Sequence, residues 1–185
     1  KVVAGAIGSY DIPVLTDFLE RGFQAVGLRL SHCKVLLKPN LVMGKSPRKA
    51  VNTHPEFVRA VAGFLLDHSC HVSIGDSPGY ESTERALKGS DIMEVARDLD
   101  LEVVPFNNTI IKRCEGGISP YRAFTFGEDP SRYDAVVNLP KLKTHGMMGL
   151  TLGVKNTFGF IHALEKARWH LRAGRDRILF AFILI

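Results

Sequence analysis

Short runs of β-branched and aliphatic residues alternate along the chain with longer segments in which apolar residues recur at helical spacing. The short runs predict strands at 2–4, 34–38, 71–75, 101–105 and 135–139, the last of them strongly buried. The periodic segments predict helices at 13–26, at 55–67, and as one or two helices over 82–99 with a break near Gly89. Residues 109–126 predict a hairpin that contains Gly116-Gly117.

Strands separated by helices predict an α/β fold, with a mostly parallel sheet that carries helices on both faces. Asp11 precedes the first helix as a plausible cap, and Thr53 with Glu56 has the spacing of a capping box before the second. At 185 residues the chain fits a single domain, 1–185. It ends in the apolar run 178–185, which is too short to cross a bilayer. We therefore expect a C-terminally truncated fragment of a longer chain, with no membrane contact.

The composition narrows the class of protein. With 45% hydrophobic and 23% charged residues, the chain is neither a disordered tail nor a disulfide miniprotein. The formal net charge of +5, much of it within 155–177, favours an anionic small ligand, a nucleotide or an acidic partner surface. No nucleic-acid-binding signature is present, so nucleic acid is disfavoured. Three cysteines without C-x-x-C spacing argue against a disulfide framework and against an iron–sulfur cluster held by this segment alone, and they predict a cytoplasmic location.

Three of the predicted strands end in polar, turn-rich motifs. These motifs are 38–40 (Lys-Pro-Asn), 75–79 (Gly-Asp-Ser-Pro-Gly) and 138–145 (Asn-Leu-Pro-Lys-Leu-Lys-Thr-His). In open α/β sheets, ligands bind beyond the carboxyl ends of the strands. We therefore expect the three motifs to converge on one rim of the sheet.

The first two motifs offer groups suited to an anion. Lys38 supplies a charge at a strand tip, and Asn40 supplies both donors and acceptors. Ser77 and Gly79 lie in a turn whose backbone N–H groups and hydroxyl could face an anion, while Asp76 could orient a hydroxyl or a cation. The alternative is a surface lysine and ordinary turn residues.

The segment 141–159 concentrates three lysines, one histidine and four glycines. If it is extended, Lys141, Lys143 and His145 share one face. If instead 149–156 is helical, Thr151 and Lys155 share a face and Gly149 aligns with Gly153. We take Lys143, Gly149, Thr151, Gly153 and Asn156 as candidate binding residues, because so many glycines weaken a helix unless close packing or a bound anion compensates.

Two histidines are candidates for proton transfer. His54 lies at a helix start, where the positive potential favours the neutral imidazole that acts as a base or a metal ligand. His145 lies in the dense segment just described. With Lys155 they form the predicted catalytic set, although His54 alone would also suit a surface capping loop.

The motifs resemble the family catalogued as "domain of unknown function 362". The matching stretches are 35–42, 53–56, 75–79 and, most strongly, 138–145 and 149–156. The resemblance implies a bacterial or archaeal cytoplasmic α/β protein. Members often carry an appended ferredoxin-like segment with two four-iron clusters. This chain lacks those cysteines, so 4Fe-4S clusters are expected only in a segment outside it or in a partner.

A second resemblance is to the N-terminal domain of nickel-dependent lactate racemase. The residues that carry it are His145, Gly149, Thr151, Gly153 and Lys155. In that family the lysine bears a pincer nucleotide that holds nickel. The resemblance implies such a cofactor on Lys155, a metal-binding histidine near His170, and a second acid/base histidine at His54.

Three functions follow from these patterns. The first is an enzyme that holds an anionic substrate or a nucleotide-like cofactor and transfers protons through His145 and His54, in racemase- or isomerase-type chemistry. The second is a redox-associated module that docks a ferredoxin-like domain or partner and has no catalytic histidine. The third is a plain nucleotide-binding or scaffold domain.

Overall fold

The computed structural model describes residues 1–79, 81–113, 122–146 and 149–173, except for the side chains of 172 and 173. Cys114, the Gly116-Gly117 pair and the apolar run 178–185 lie outside the described residues. The helices are α1 Ile12–Val26, α2 Pro55–Asp67, α3 Thr83–Gly89, α4 Ile92–Asp98, α5 Gly153–Thr157 and α6 Ala163–Ala173. The strands are β1 Lys34–Pro39, β2 His71–Ile74, β3 Glu102–Val103, β4 Ile110–Arg113, β5 Ala123–Phe126, β6 Ala135–Leu139, β7 Lys143–His145 and β8 Gly149–Thr151.

A four-stranded sheet in the order β3-β2-β1-β6 forms the centre of the fold. All its neighbouring strands are parallel, so the predicted α/β class is confirmed. The chain builds outward from β1 through β2 to β3, and then returns to the other side of β1 with β6. The strand order therefore reverses between β1 and β6. In open α/β sheets, ligands bind outside the carboxyl ends of the strands at such a switch point.

Alternation along β1 divides the core between the two faces of the sheet. Val35 and Leu37 belong to the larger cluster, which also takes in buried residues of α2, α3 and α4, while α1 packs on α2. Leu36 faces the opposite way and packs with Val104, Phe106 and Phe160. The second face is thus covered by aromatic side chains near the 3-10 turn Phe158–Phe160 and the β4–β5 hairpin.

Local signals fix the helix boundaries. The Asp11 carboxylate accepts a hydrogen bond from the Val14 N–H at 3.2 Å, which confirms the predicted cap of α1. The predicted Thr53 cap of α2 is wrong, because His54 is the cap and its Nδ1 accepts from the Glu56 N–H. The Thr53 hydroxyl instead accepts a hydrogen bond from the Asn40 N–H, directly after β1, so it binds the end of that strand and does not cap the helix.

Two strand predictions need correction. Residues 2–4 form no strand, and Val2 is 93% exposed, so the burial that would stabilise a strand is missing. The strand at 135–139 exists as β6, but it is an edge strand and Val136 is 37% exposed. Its run of aliphatic residues resembles a central strand because the sequence pattern does not reveal sheet order.

The helical alternative for 149–156 is wrong. Gly149 has a φ of +77° and pairs with His145 in the antiparallel β7–β8 hairpin, and α5 begins only at Gly153. Thr151 is therefore opposite Lys143 and does not share a helix with Lys155. The extended alternative holds for Lys143 and His145, which are half-buried while Thr144 between them is exposed; Lys141 precedes the strand.

Truncating Leu36 tests the second face of the sheet. Because this side chain is fully buried, Leu36→Ala should lower the free energy of unfolding by about 2–5 kcal/mol in urea denaturation. Leu142→Ala is the matched control, since Leu142 is 64% exposed and should change stability by less than about 0.5 kcal/mol. Equal effects of the two changes would show that the aromatic layer does not cover this face.

Candidate functional site

A buried ion pair joins the ends of the two central strands. The Lys38 ammonium at the end of β1 lies 2.6 Å from the Asp76 carboxylate just after β2, and both side chains are almost completely buried. The backbone N–H groups of Leu41 and Ser77 each donate to Asp76 at 2.9 Å. Both carboxylate oxygens thus have donors, which makes the buried charge tolerable.

Gly159 covers this ion pair. A Cβ atom at position 159 would overlap both the Asp76 carboxylate and the Lys38 ammonium. The Phe160 ring follows at once, and its centroid lies 5.7 Å from the Lys38 nitrogen. A side chain larger than hydrogen at this position would therefore push against buried charged groups, so the close approach requires glycine.

Three asparagines link β1, β6 and α5 across the switch point. The Asn40 amide donates to Asn156 at 3.0 Å, and the Asn156 amide donates to Asn138 at 2.7 Å. Asn138 in turn donates to the Gly153 carbonyl at 2.9 Å. Thr53 closes the network by donating to the Leu139 carbonyl at 2.6 Å. The network joins the end of β1 to β6 and α5 and gives the candidates Asn40, Gly153 and Asn156 a shared structural role.

Three further lysines approach Asp76 from three other elements. Lys143 on β7 donates to the Asn40 side chain and to the Val51 carbonyl. Lys166 on α6 is buried and donates to the Ser77 carbonyl. Lys155 on α5 places its ammonium 4.9 Å from the Phe158 ring centroid. With Lys38, these three residues form what we call the lysine cluster.

Burial lowers the pKa of every member of the lysine cluster. The pKa of Lys143 and of Lys155 falls to about 8, and that of Lys166 falls to about 7. Neighbouring ammonium groups lower these pKa values further, and Asp76 raises all of them. For Lys38, burial is again the largest cause of a lowered pKa and is opposed by the Asp76 charge. The single Asp76 carboxylate therefore favours the charged form of all four lysines.

His145 and His170 both feel the positive charge of the lysine cluster. Burial and the Lys155 charge lower the pKa of both His145 and His170, and the His145 charge lowers the pKa of His170 further. The His170 ring stands edge-on to Phe158, with centroids 5.6 Å apart, and the Lys155 ammonium lies over that same ring. Both imidazoles are therefore held neutral near pH 7 beside one ammonium group.

His54 has different surroundings. Its ring stacks on Tyr10, with centroids 3.7 Å apart and planes 6° from parallel, and it caps α2 through Glu56. Burial lowers its pKa, the Glu56 charge raises it and the Lys141 charge lowers it. His54 thus responds to charges different from those that govern His145.

The remaining sequence candidates take supporting positions. The Ser77 N–H is used by Asp76, and Gly79 is exposed. Thr151 is buried opposite Lys143, and Gly149 forms the positive-φ position opposite His145. Within the described ranges, no group of three His, Cys, Asp or Glu side chains is arranged to hold a metal ion.

Sequence reasoning missed Lys166, Asn138 and Gly159 as site residues. Lys166 belongs to a segment whose pattern indicates only a basic helix, and its neighbours Leu164 and Arg168 are indeed exposed. Asn138 and Gly159 lie within the motifs of interest, but only the register β1–β6 shows Asn138 opposite Lys38. Such partners depend on pairing between distant segments, which a single sequence does not reveal.

A cavity of about 830 Å³ lies at the opposite, amino end of the strands. Its lining carries charges of both signs, Lys34 and Arg132 against Asp100 and Glu102. The Ser73 hydroxyl there donates to Glu102 at 2.8 Å. None of the lysines with lowered pKa lines this cavity, so we place the candidate site at the carboxyl edge of the sheet.

Fold and charge together define a class: a parallel α/β domain whose buried cations gather at the switch point of its sheet. The family model for Domain of unknown function (DUF362) matches residues 35–184, and the chain belongs to that family. The resemblance to this family found in the sequence is thereby confirmed.

The chain is also similar to Thylakoid-associated protein sll1697 of Synechocystis sp., with 34% identity over 152 residues. The match covers 82% of this chain and 46% of that protein, so the chain spans about half of the relative's length. No solved structure matches the chain. In the part of the chain that the structure describes, no helix is both long and apolar enough to cross a membrane.

Adding one methyl group at Gly159 tests the close approach over the ion pair. Gly159→Ala should lower the free energy of unfolding by about 1–3 kcal/mol, because the new Cβ displaces Lys38 or Asp76. Gly63→Ala in α2 is the matched control. Its Cβ meets nothing within 4 Å, and it should stabilise the protein by about 0.5–1 kcal/mol. A Gly159→Ala protein as stable as the parent would contradict the packing described here.

The pH dependence of stability tests the burial of Lys166. Its pKa falls from 10.5 to about 7 on folding, so between these values the unfolded chain binds more protons and stability rises with pH. From about pH 7.5 to about pH 9, Lys166 should contribute a rise of about 1.4 kcal/mol per pH unit.

The comparison with Lys166→Met isolates this contribution, because the other titrating groups are common to both proteins. Urea unfolding across that pH range should give a smaller slope for the variant. Parallel plots of stability against pH for the two proteins would show that Lys166 keeps an ordinary pKa in the folded state.

Proposed function

We propose that this domain binds a small anionic substrate or a nucleotide-like cofactor at the carboxyl edge of its sheet, and that His145 transfers a proton to and from that ligand. The observation that carries the proposal is the lysine cluster, four cations around the single carboxylate of Asp76. The proposal is of an enzyme with racemase- or isomerase-type chemistry.

The charge balance supports an anion. Asp76 is bonded to Lys38 and to two backbone N–H groups, so its charge is already engaged. The other three ammonium groups lose hydration on burial and repel one another, which is why their pKa values fall. A bound anion restores the favourable interactions that these cations lost when water was removed.

The histidines support proton transfer. A neutral imidazole next to a cationic site accepts a proton from a carbon whose negative charge the ammonium groups stabilise. His145 and His170 both respond to Lys155, whereas His54 responds to Glu56 and Lys141. We therefore assign His145 as the first proton carrier and prefer His170 over the sequence-predicted His54 as the second.

Lys155 is the position at which the second resemblance implies a covalently attached nucleotide. Its half-buried ammonium lies over the Phe158 ring, with His170 on the edge of the same ring. Attachment would turn the Lys155 ammonium into an uncharged linkage, so the negative charge of the nucleotide would be balanced by Lys38, Lys143 and Lys166, and the group would bring nickel to the site. The cofactor remains part of the proposal, as does the cytoplasmic location expected from the cysteines.

Hydrogen exchange at carbon tests the function across a panel of small acids, so that no single substrate has to be assumed. We would incubate the protein in D₂O with small hydroxy and oxo acids that carry one or two acidic groups, and follow by NMR the loss of the proton signal at Cα of the hydroxy acids and at the carbon next to the carbonyl group of the oxo acids. The parent should exchange at least one of these compounds, and His145→Gln should exchange it at least about 100-fold more slowly. His71→Gln is the control, because His71 lies at the opposite end of β2.

Two outcomes would contradict the proposal. One is exchange at the parental rate in both His145→Gln and Lys155→Ala. The other is no exchange of any compound by the parent protein combined with no detectable anion binding.

A further inference from the structure

We infer that the ligand of this site carries at least two negative charges, as phosphomonoesters, diphosphates and dicarboxylates do, and is not a monocarboxylate. The inference rests on the proposed function and adds the charge class of the ligand. Four features of the structure support it: the convergence of the lysine cluster, its charge balance, its remaining hydrogen-bond capacity and its protonation behaviour.

The four cations are held together by the fold and not by flexible surface chains. Lys38, Lys143, Lys155 and Lys166 come from β1, β7, α5 and α6 respectively. Lys38 is fixed by Asp76, Lys143 by Asn40 and Val51, and Lys166 by Ser77. Four separate elements thus bring their charges to one carboxylate, which surface lysines placed by chance do not do.

The count of charges separates the ligand classes. The Lys38–Asp76 pair is neutral, which leaves at least the ammonium groups of Lys143 and Lys166 when both are protonated. A monocarboxylate would neutralise one of these two charges and leave the other in a poorly hydrated site. A dianion would neutralise both, and in low dielectric that difference is large.

Hydrogen-bond capacity agrees with the count of charges. An ammonium group has three N–H donors. Among the described residues, Lys143 gives two bonds, to Asn40 and Val51, and Lys166 gives one, to the Ser77 carbonyl. N–H donors therefore remain on two lysines that come from different elements, β7 and α6. A phosphate group or a pair of carboxylates offers these donors more acceptor oxygens than the two of a single carboxylate.

Protonation provides a second signature of the same ligand. With pKa values of about 7 to 8, Lys143, Lys155 and Lys166 are only partly charged near neutral pH. The other titratable groups that act on them or respond to them are Lys38, Asp76, Lys141, His145 and His170. A multiply charged anion raises the pKa of the lysines and of the two histidines, so its binding takes up protons.

Calorimetric titration with simple anions tests the inference. We would compare acetate, malonate, inorganic phosphate and diphosphate at equal ionic strength and at about pH 7.5, in two buffers with different ionisation enthalpies. Malonate and diphosphate should each bind at least about tenfold more tightly than acetate, the effect of one additional charge-assisted contact. Proton uptake should accompany their binding. The phosphate and malonate titrations separate a phosphate ligand from a dicarboxylate.

Variants locate the binding. Lys166→Gln and Lys143→Gln should each weaken diphosphate binding by at least about tenfold and reduce proton uptake. Two variants are used so that a folding defect in one does not decide the result. Lys34→Gln is the matched control, since Lys34 is an exposed lysine at the opposite end of the same strand as Lys38, and its affinity should be unchanged.

The outcomes distinguish this inference from the proposed function. If acetate binds as tightly as diphosphate and both depend on Lys166, the inference is overturned while the anion site stands. If Lys34→Gln weakens binding as much as Lys166→Gln, binding is nonspecific and the inference is also overturned. If no anion binds and no compound exchanges hydrogen, the proposed function fails together with the inference.

Discussion

The ion pair between Lys38 and Asp76 is the constraint on which the site depends. Two opposite charges at the ends of adjacent parallel strands are removed from water, at a cost that only close contact and full hydrogen bonding offset. Backbone N–H groups supply the additional donors to Asp76, and Gly159 permits the chain to close over the pair. Removing either partner would leave an isolated buried charge, so the two strand ends and the loop above them form one unit.

The rest of the site follows from that unit. The asparagine network joins the end of β1 to β6 and α5. Because Lys155 lies on α5, the network also fixes the helix that carries this lysine. Lys143 and His145 lie on the more buried face of β7, because residues two apart along a strand point to the same side. Lys166 on α6 is the fourth member of the lysine cluster and donates to the Ser77 carbonyl, next to Asp76 in the chain. Asp76 offers one negative charge to all of them, and this imbalance of charge is the basis of the proposed anion site.

Local patterns predicted most elements, and pairing between distant segments accounts for most errors. The Asp11 cap, the α2 boundaries and the β4–β5 hairpin follow from signals only a few residues apart. The edge position of β6 depends on which strand it joins, and the role of Thr53 depends on Asn40 and Leu139. Convergence of 38–40, 75–79 and 138–145 was predictable, because parallel strands place their carboxyl ends on one edge. The role of Lys166 in the site could not be predicted in the same way. The pattern of an amphipathic helix does not indicate which distant backbone carbonyl a lysine on it will contact.

The most direct test of the account is the protonation of the lysines themselves. Heteronuclear NMR of the lysine Cε signals, assigned with single Lys→Gln variants, reports the pKa of each side chain. The account predicts that Lys143, Lys155 and Lys166 titrate at about 7 to 8 without ligand and move upward when diphosphate is added. Titration of all three near the ordinary lysine value of 10.5, with no change on addition of the anion, would contradict it.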